Sequence, residues 1–222
     1  GVFHGRTDTH SIGSIRIGTN GLFNASSGIT RVRLGTKFAP INYMILNYGT
    51  FTHNDGTIKI DSSKNARKID LGSSILYDLD VDIDNIDYLT NADNTLEIEN
   101  NLVVTEGEFR SWDSGEVMGY SIDVTGTTTI QSGGELDLDH PTGTDQDHWL
   151  RDVVIQASGT LVASNETTLI FGDFTNSGTF TNSSGEIDFA GSGKVLTGET
   201  DFNNITISSK LRVDSEINYS VM

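Results

Sequence analysis

Two passages of this chain are near copies of each other. Gly178 to Ile207 reads GTFTNSSGEIDFAGSGKVLTGETDFNNITI, and Gly49 to Val81 reads GTFTHNDGTIKIDSSKNARKIDLGSSILYDLDV. Gly49, Thr50, Phe51, Thr52, Gly56, Ile58 and Ile60 stand 129 positions before Gly178, Thr179, Phe180, Thr181, Gly185, Ile187 and Phe189. A gap of three residues then brings Gly72, Leu76, Leu79 and Val81 onto Gly198, Phe202, Ile205 and Ile207. In each copy apolar residues alternate with polar ones and glycines punctuate the runs, which predicts two or three short strands joined by turns. Neither copy can bury its apolar face alone, so the pattern predicts units stacked on their neighbours in a solenoid.

The remaining sequence continues the theme. Thr95 to Val104, TLEIENNLVV, matches Lys210 to Tyr219, KLRVDSEINY, with Leu96, Ile98, Leu102 and Val104 on Leu211, Val213, Ile217 and Tyr219. Alternation runs through Ile122, Val124, Ile130, Leu136 and Leu138, then through Val153, Ile155, Leu161, Leu169 and Phe171. Phe171, Phe174, Phe180, Phe189 and Phe202 fall on the apolar phase and are expected as stacked core rungs. With 24 Gly against 2 Pro and no helical periodicity, the fold class is all-β. At about 20 to 25 residues per coil the chain would make roughly eight to ten coils.

The GTFT-x3-G-x-I-x-F pattern, the Gly-rich turns and the terminal FNNITI resemble the degenerate repeats of secreted bacterial adhesins and of phage fibre and appendage proteins. That resemblance implies a right-handed parallel β-helix. It also implies an extracellular place on a virion or cell surface, and a homo-oligomeric assembly. The function it implies is a stiff spacer presenting loops to a protein partner or a surface glycan, with no cofactor. Residues 1–47 lie off the repeat and are expected as an N-terminal cap or the first coils, and residues 48–222 as the solenoid. The chain stops in mid-repeat with apolar Val221 near its end, so further protein or a partner subunit is expected beyond Met222.

Charge divides the chain. Residues 1–50 carry Arg6, Arg16, Arg31, Arg33 and Lys37 against Asp8 alone, whereas residues 51–222 carry nine basic and thirty acidic side chains. The acidic body disfavours nucleic acid and keeps sheet edges from self-pairing. The five basic residues are candidates for attachment to an acidic neighbour. There is no Cys, hence no disulfide framework, and no apolar run as long as a membrane span.

Asp78, Asp80, Asp82 and Asp84 alternate with Leu79, Val81 and Ile83, placing carboxylates about 7 Å apart in an outward row. They are either a solvated face or calcium ligands, although neither an EF-hand nor a Gly-rich nonapeptide spacing is present. His4, Asp8 and His10 carry metal-compatible groups and are expected in a mobile terminus. Two interruptions could present a ligand surface: Glu108 to Tyr120 with Trp112, and His140 to Asp152 with Asp145, Asp147, His148 and Trp149. The simpler expectation for each is an ordinary insertion whose Trp folds back to cover a coil. No catalytic residue is assigned. The alternative, a polysaccharide-cleaving tailspike-like β-helix, would draw its paired carboxylates from Asp137, Asp139, Asp145 and Asp147, but the GHG and RIK motifs of pectin-acting hydrolases are missing.

Overall fold

The computed structural model describes residues 1–33, 43–62, 67–84, 88–91, 95–113 and 116–214. Among them are twenty-four strands and no helix. All strand pairs are parallel, and they form three ladders that the chain visits in turn, completing about eight turns of a β-solenoid.

The first face begins with Val2–His4, Leu22–Asn24 and Thr50–Thr52. Higher in the stack it passes through Leu76, Leu96–Ile98, the opening of Ile122–Ile130 and of His148–Ile155, Thr167–Ile170, Glu186–Phe189 and Asn204–Ile207. The second face runs from His10–Ile12 through Ile29–Val32, Thr57–Ser62, Asp78–Ile83 and the start of Leu102–Arg110. It continues in the closing halves of Ile122–Ile130 and His148–Ile155, then Phe174–Asn176, Lys194–Thr197 and Leu211–Val213. The third comprises Ile15–Ile17, Tyr43–Asn47, Arg67–Asp70, Tyr88–Asn91, the end of Leu102–Arg110, Gly134–Asp137, Thr160–Val162 and Thr179–Thr181. The described part of residues 1–47 therefore forms coils of the same stack, and His4, Asp8 and His10 belong to its first turn rather than to a mobile terminus.

Alternation points one side chain in every two inward, and these merge into one continuous apolar core. Phe3, Phe23 and Phe51 stack nearly face-parallel, with centroids 4.6 and 5.7 Å apart. Phe174 sits in the middle of Phe180, Phe189 and Phe202, at 6.0 to 6.1 Å from each. Phe180 is half-buried but packed against this core. Phe171 departs from expectation. The inward positions of its strand are Thr168 and Ile170, Leu169 is half-buried, and Phe171 is 40% exposed. Three consecutive apolar residues make both phases look alike, and a threonine fills a core position. Ile205, Ile207 and Val213 are exposed because no described strand stacks beyond them.

The two sequence copies both lie in the stack, but not one above the other. Thr50–Thr52 is on the first face and its counterpart Thr179–Thr181 on the third; Thr57–Ser62 is on the second and Glu186–Phe189 on the first. What repeats is a strand-and-corner module, usable on any face. Its fixed point precedes the copies as first delimited. Asn47 and Asn176, also 129 apart, are both buried at a strand end. Asn47 Oδ1 accepts the Gly49 N–H at 2.9 Å while Nδ2 donates to Leu71 O and Ser74 Oγ of the next coil, both at 3.0 Å. Asn176 does the same with Gly178 N, Glu199 O and Thr200 Oγ1. Over each Asn lies a glycine with positive φ, Gly72 at 57° and Gly198 at 97°. A Cβ on Gly198 would stand 1.8 Å from the Asn176 carbonyl oxygen, so the corner closes only with glycine there.

Candidate functional site

The outer surface has a groove of about 360 Å³ where the first face turns into the second, lined by Asp123, Val124, Thr125, Trp149, Arg151, Phe171 and Lys194. These residues come from four successive coils. Asp123 and Trp149 are outward-facing partners in the ladder, with Leu169 next above Trp149. Arg151 and Phe171 occupy the corner, where Phe171 N–H donates to Leu150 O and Gly172 N–H to Arg151 O. Lys194 opens the strand above. Burial, and then the neighbouring Glu97, raises the Asp123 carboxyl above the usual range.

Of the five residues expected to meet a ligand, the structure leaves Trp149 and Asp147 on the surface. Trp149 is not in a loop but in strand His148–Ile155. Asp147 is exposed and accepts the Thr167 N–H at 3.1 Å. Trp112, Asp145 and His148 are buried and used internally. The two interruptions do meet on one flank, through a parallel bridge between Met118 and Thr144 and a Trp112–His140 ring contact at 5.2 Å. They are shaped by internal hydrogen bonds. His140 Nδ1 accepts the N–H groups of Thr142 and Gly143, so its Nε2 carries the proton and donates to Glu116 O. Asp145 accepts the His140 N–H on both oxygens at 3.0 Å and the Asn165 N–H at 3.3 Å. His148 Nδ1 accepts the Ile122 N–H, and full burial lowers its pKa to about 3, so the ring is neutral.

A second constellation lies below Trp112. Oxygens of Glu108, Glu135 and Asp137 come within 4.8 Å of one another. Asp137 is 9% exposed, and burial first, with the Glu108 charge adding, pushes its pKa to about 7 against the opposing hydrogen bonds from Asp139 N–H and Trp112 Nε1–H. Glu135 is raised by burial and by Glu108. Glu108 is paired on both oxygens by Arg110, whose guanidinium lies 4.6 Å over the Trp112 ring. Of the four carboxylates nominated from sequence, only Asp137 joins this group.

The acidic row is as alternating as expected, and its charge is met from within the protein. Lys59 on the adjacent coil reaches Asp80 and Asp82, both at 2.7 Å. Asp80 also accepts from Thr105, Asp78 accepts from Asn100 and Asn101, and Asp84 is exposed. Among the attachment candidates Arg31 and Arg33 both pair with Asp61, and Arg16 points outward between Ile15 and Ile17. Arg6 holds positive φ, with its carbonyl bonded to the Ser27 N–H. Lys37 and Val221 lie outside the described residues. Among the described residues no helix is long and apolar enough to cross a membrane. No protein-family model, curated protein or solved structure matches this chain.

Proposed function

We propose that this chain is a non-enzymatic, structural and adhesive segment of an extracellular assembly, a stiff spacer whose outer surface holds a glycan. The observation that carries the reading is the groove at the first corner. Trp149 and Phe171 turn outward there, on neighbouring coils of a rigid parallel stack, beside polar groups able to bond sugar hydroxyls. Aromatic faces at a fixed spacing with a few convergent polar groups suit pyranose rings. The acidic body, with its charges distributed over the outer face, keeps a stack with exposed strands soluble. The reading takes the chain as one subunit of a homo-oligomeric fibre or surface adhesin that works without a nucleic acid partner or a cofactor. The test is a glycan array probed with the wild type and with Trp149→Ala and Phe171→Ala. Binding lost in both variants while their melting temperatures hold supports the reading; no binding to any glycan refutes it.

A second reading, cleavage of a polysaccharide, is favoured by the Glu108–Glu135–Asp137 group, because a carboxyl with a pKa near 7 close to other carboxyl groups suits acid catalysis. Against it, both Asp137 oxygens accept internal hydrogen bonds and Trp112 is 7% exposed, so no aromatic face is free to seat a sugar there. Release of reducing ends or of unsaturated products from array-positive polysaccharides, abolished by Asp137→Asn, would establish cleavage in place of simple adhesion.

A further inference from the structure

We infer that the groove selects a saccharide bearing a carboxylate, a uronic or sialic type of residue, and that Arg151 and Lys194 are the groups that read its charge. The inference rests on the glycan-binding reading above and deepens it. Its basis is where the positive charge of this chain is spent. In a protein of net charge −17, four of the eight described cations in residues 51–222 are consumed by carboxylates: Lys59 by Asp80 and Asp82, Lys68 by Asp113, Arg110 by Glu108, Arg212 by Asp214. Arg151 and Lys194 make no ion pair among the described residues, although acids are near.

Those acids are committed elsewhere. Asp152 Oδ1 accepts the Asp173 N–H at 2.8 Å, and Asp173 Oδ1 accepts the Val195 N–H at 2.9 Å, so both point at backbone. Asp123, the acid lining the groove, sits at its far side in the ladder, below Trp149. Along the groove Asp123 lies one coil below Trp149 and Arg151, Phe171 one coil above them, and Lys194 one coil above Phe171. A pyranose stacked on Trp149 and Phe171 would present hydroxyls to Asp123 and a ring carboxylate to Arg151 and Lys194. Arg151 is suited to this task because its planar donors match the two oxygens of a carboxylate. A long polyanion such as nucleic acid is disfavoured, because beyond the groove it would run over the acidic surface.

The experiment compares uronate- and sialate-containing oligosaccharides with their methyl esters on one array, for the wild type and for Arg151→Gln/Lys194→Gln, with a single-stranded oligonucleotide as a further probe. Two partly exposed ion pairs at roughly two- to fivefold each predict about a tenfold loss of affinity on esterification. The double variant should show the same loss for the acid form and none for the ester. Equal binding of acid and ester, or an undiminished double variant, overturns the carboxylate inference while leaving the glycan reading standing. Binding of the oligonucleotide as tight as that of the best saccharide, lost in the double variant, overturns it in favour of a general anion site. Absence of binding to every glycan overturns both.

Discussion

Replacing Asp137 with Asn changes the pH dependence of stability in a direction that follows from its surroundings. In the folded chain the carboxyl keeps its proton up to about pH 7, because burial and the Glu108 charge disfavour the anion. In the unfolded chain it loses the proton near its ordinary value of about 4. Between these two values the unfolded state alone releases a proton, so wild-type stability falls as pH rises from about 4 to about 7 and this contribution is then fully lost. Three units at 1.36 kcal/mol each set the size at about 4 kcal/mol, an upper bound that solvent relaxation lowers toward about 2. Asn carries no such penalty, although it can accept only one of the two hydrogen bonds from Asp139 N–H and Trp112 Nε1–H, a pH-independent loss of about 1 kcal/mol. Urea unfolding followed by circular dichroism at pH 4.5 and pH 8.0, for both proteins, isolates the effect. The variant should gain on the wild type by about 2–4 kcal/mol between the two pH values. A wild-type-to-variant difference that is the same at both would refute the reasoning.

Other outcomes follow from the same structure. Phe174→Ala removes a fully buried ring packed against three others and should cost about 3–5 kcal/mol, while Phe171→Ala should stay within about 0.5 kcal/mol in the same unfolding assay. Gly198→Ala forces a Cβ onto the Asn176 carbonyl at φ 97° and should cost about 2–4 kcal/mol, against about 1 kcal/mol for Gly193→Ala, whose Cβ meets open space. His148 is neutral in the folded state down to about pH 3 but protonates near 6.5 when unfolded. Wild-type stability should therefore fall through this group as pH drops from 6.5 toward 3, by up to about 5 kcal/mol, and His148→Gln should flatten that limb of the curve.

The architecture was legible because alternation and glycine placement are local signals, and stacking is the only way such strands can bury one face. Two things were not. Phase was lost at Leu169-Ile170-Phe171, where every residue is apolar and Thr168 takes a core position. The device that recurs within the chain is the Asn47 and Asn176 corner hook, which lies two residues upstream of Gly49 and Gly178 and so outside the two copies as delimited. The site suffered from the same locality. Trp149 was legible as an aromatic beside charges, but its sequence neighbours Asp145 and His148 point into the fold. Its real neighbours, Asp123, Phe171 and Lys194, lie one or two coils away along the chain and meet it only through the parallel register.

That register can be tested in a chain with no cysteine of its own. Leu169 and Asp188 are outward-facing ladder partners on consecutive coils of the first face, with Cα atoms about 4.8 Å apart by parallel strand spacing, inside the range a disulfide spans. The variant Leu169→Cys/Asp188→Cys should close a disulfide under mild oxidation without loss of the native circular dichroism, whereas Thr52→Cys/Thr181→Cys, equivalent in sequence but on different faces, should not. Closure of the second pair and not the first would contradict the three-faced parallel stack and the groove built on it.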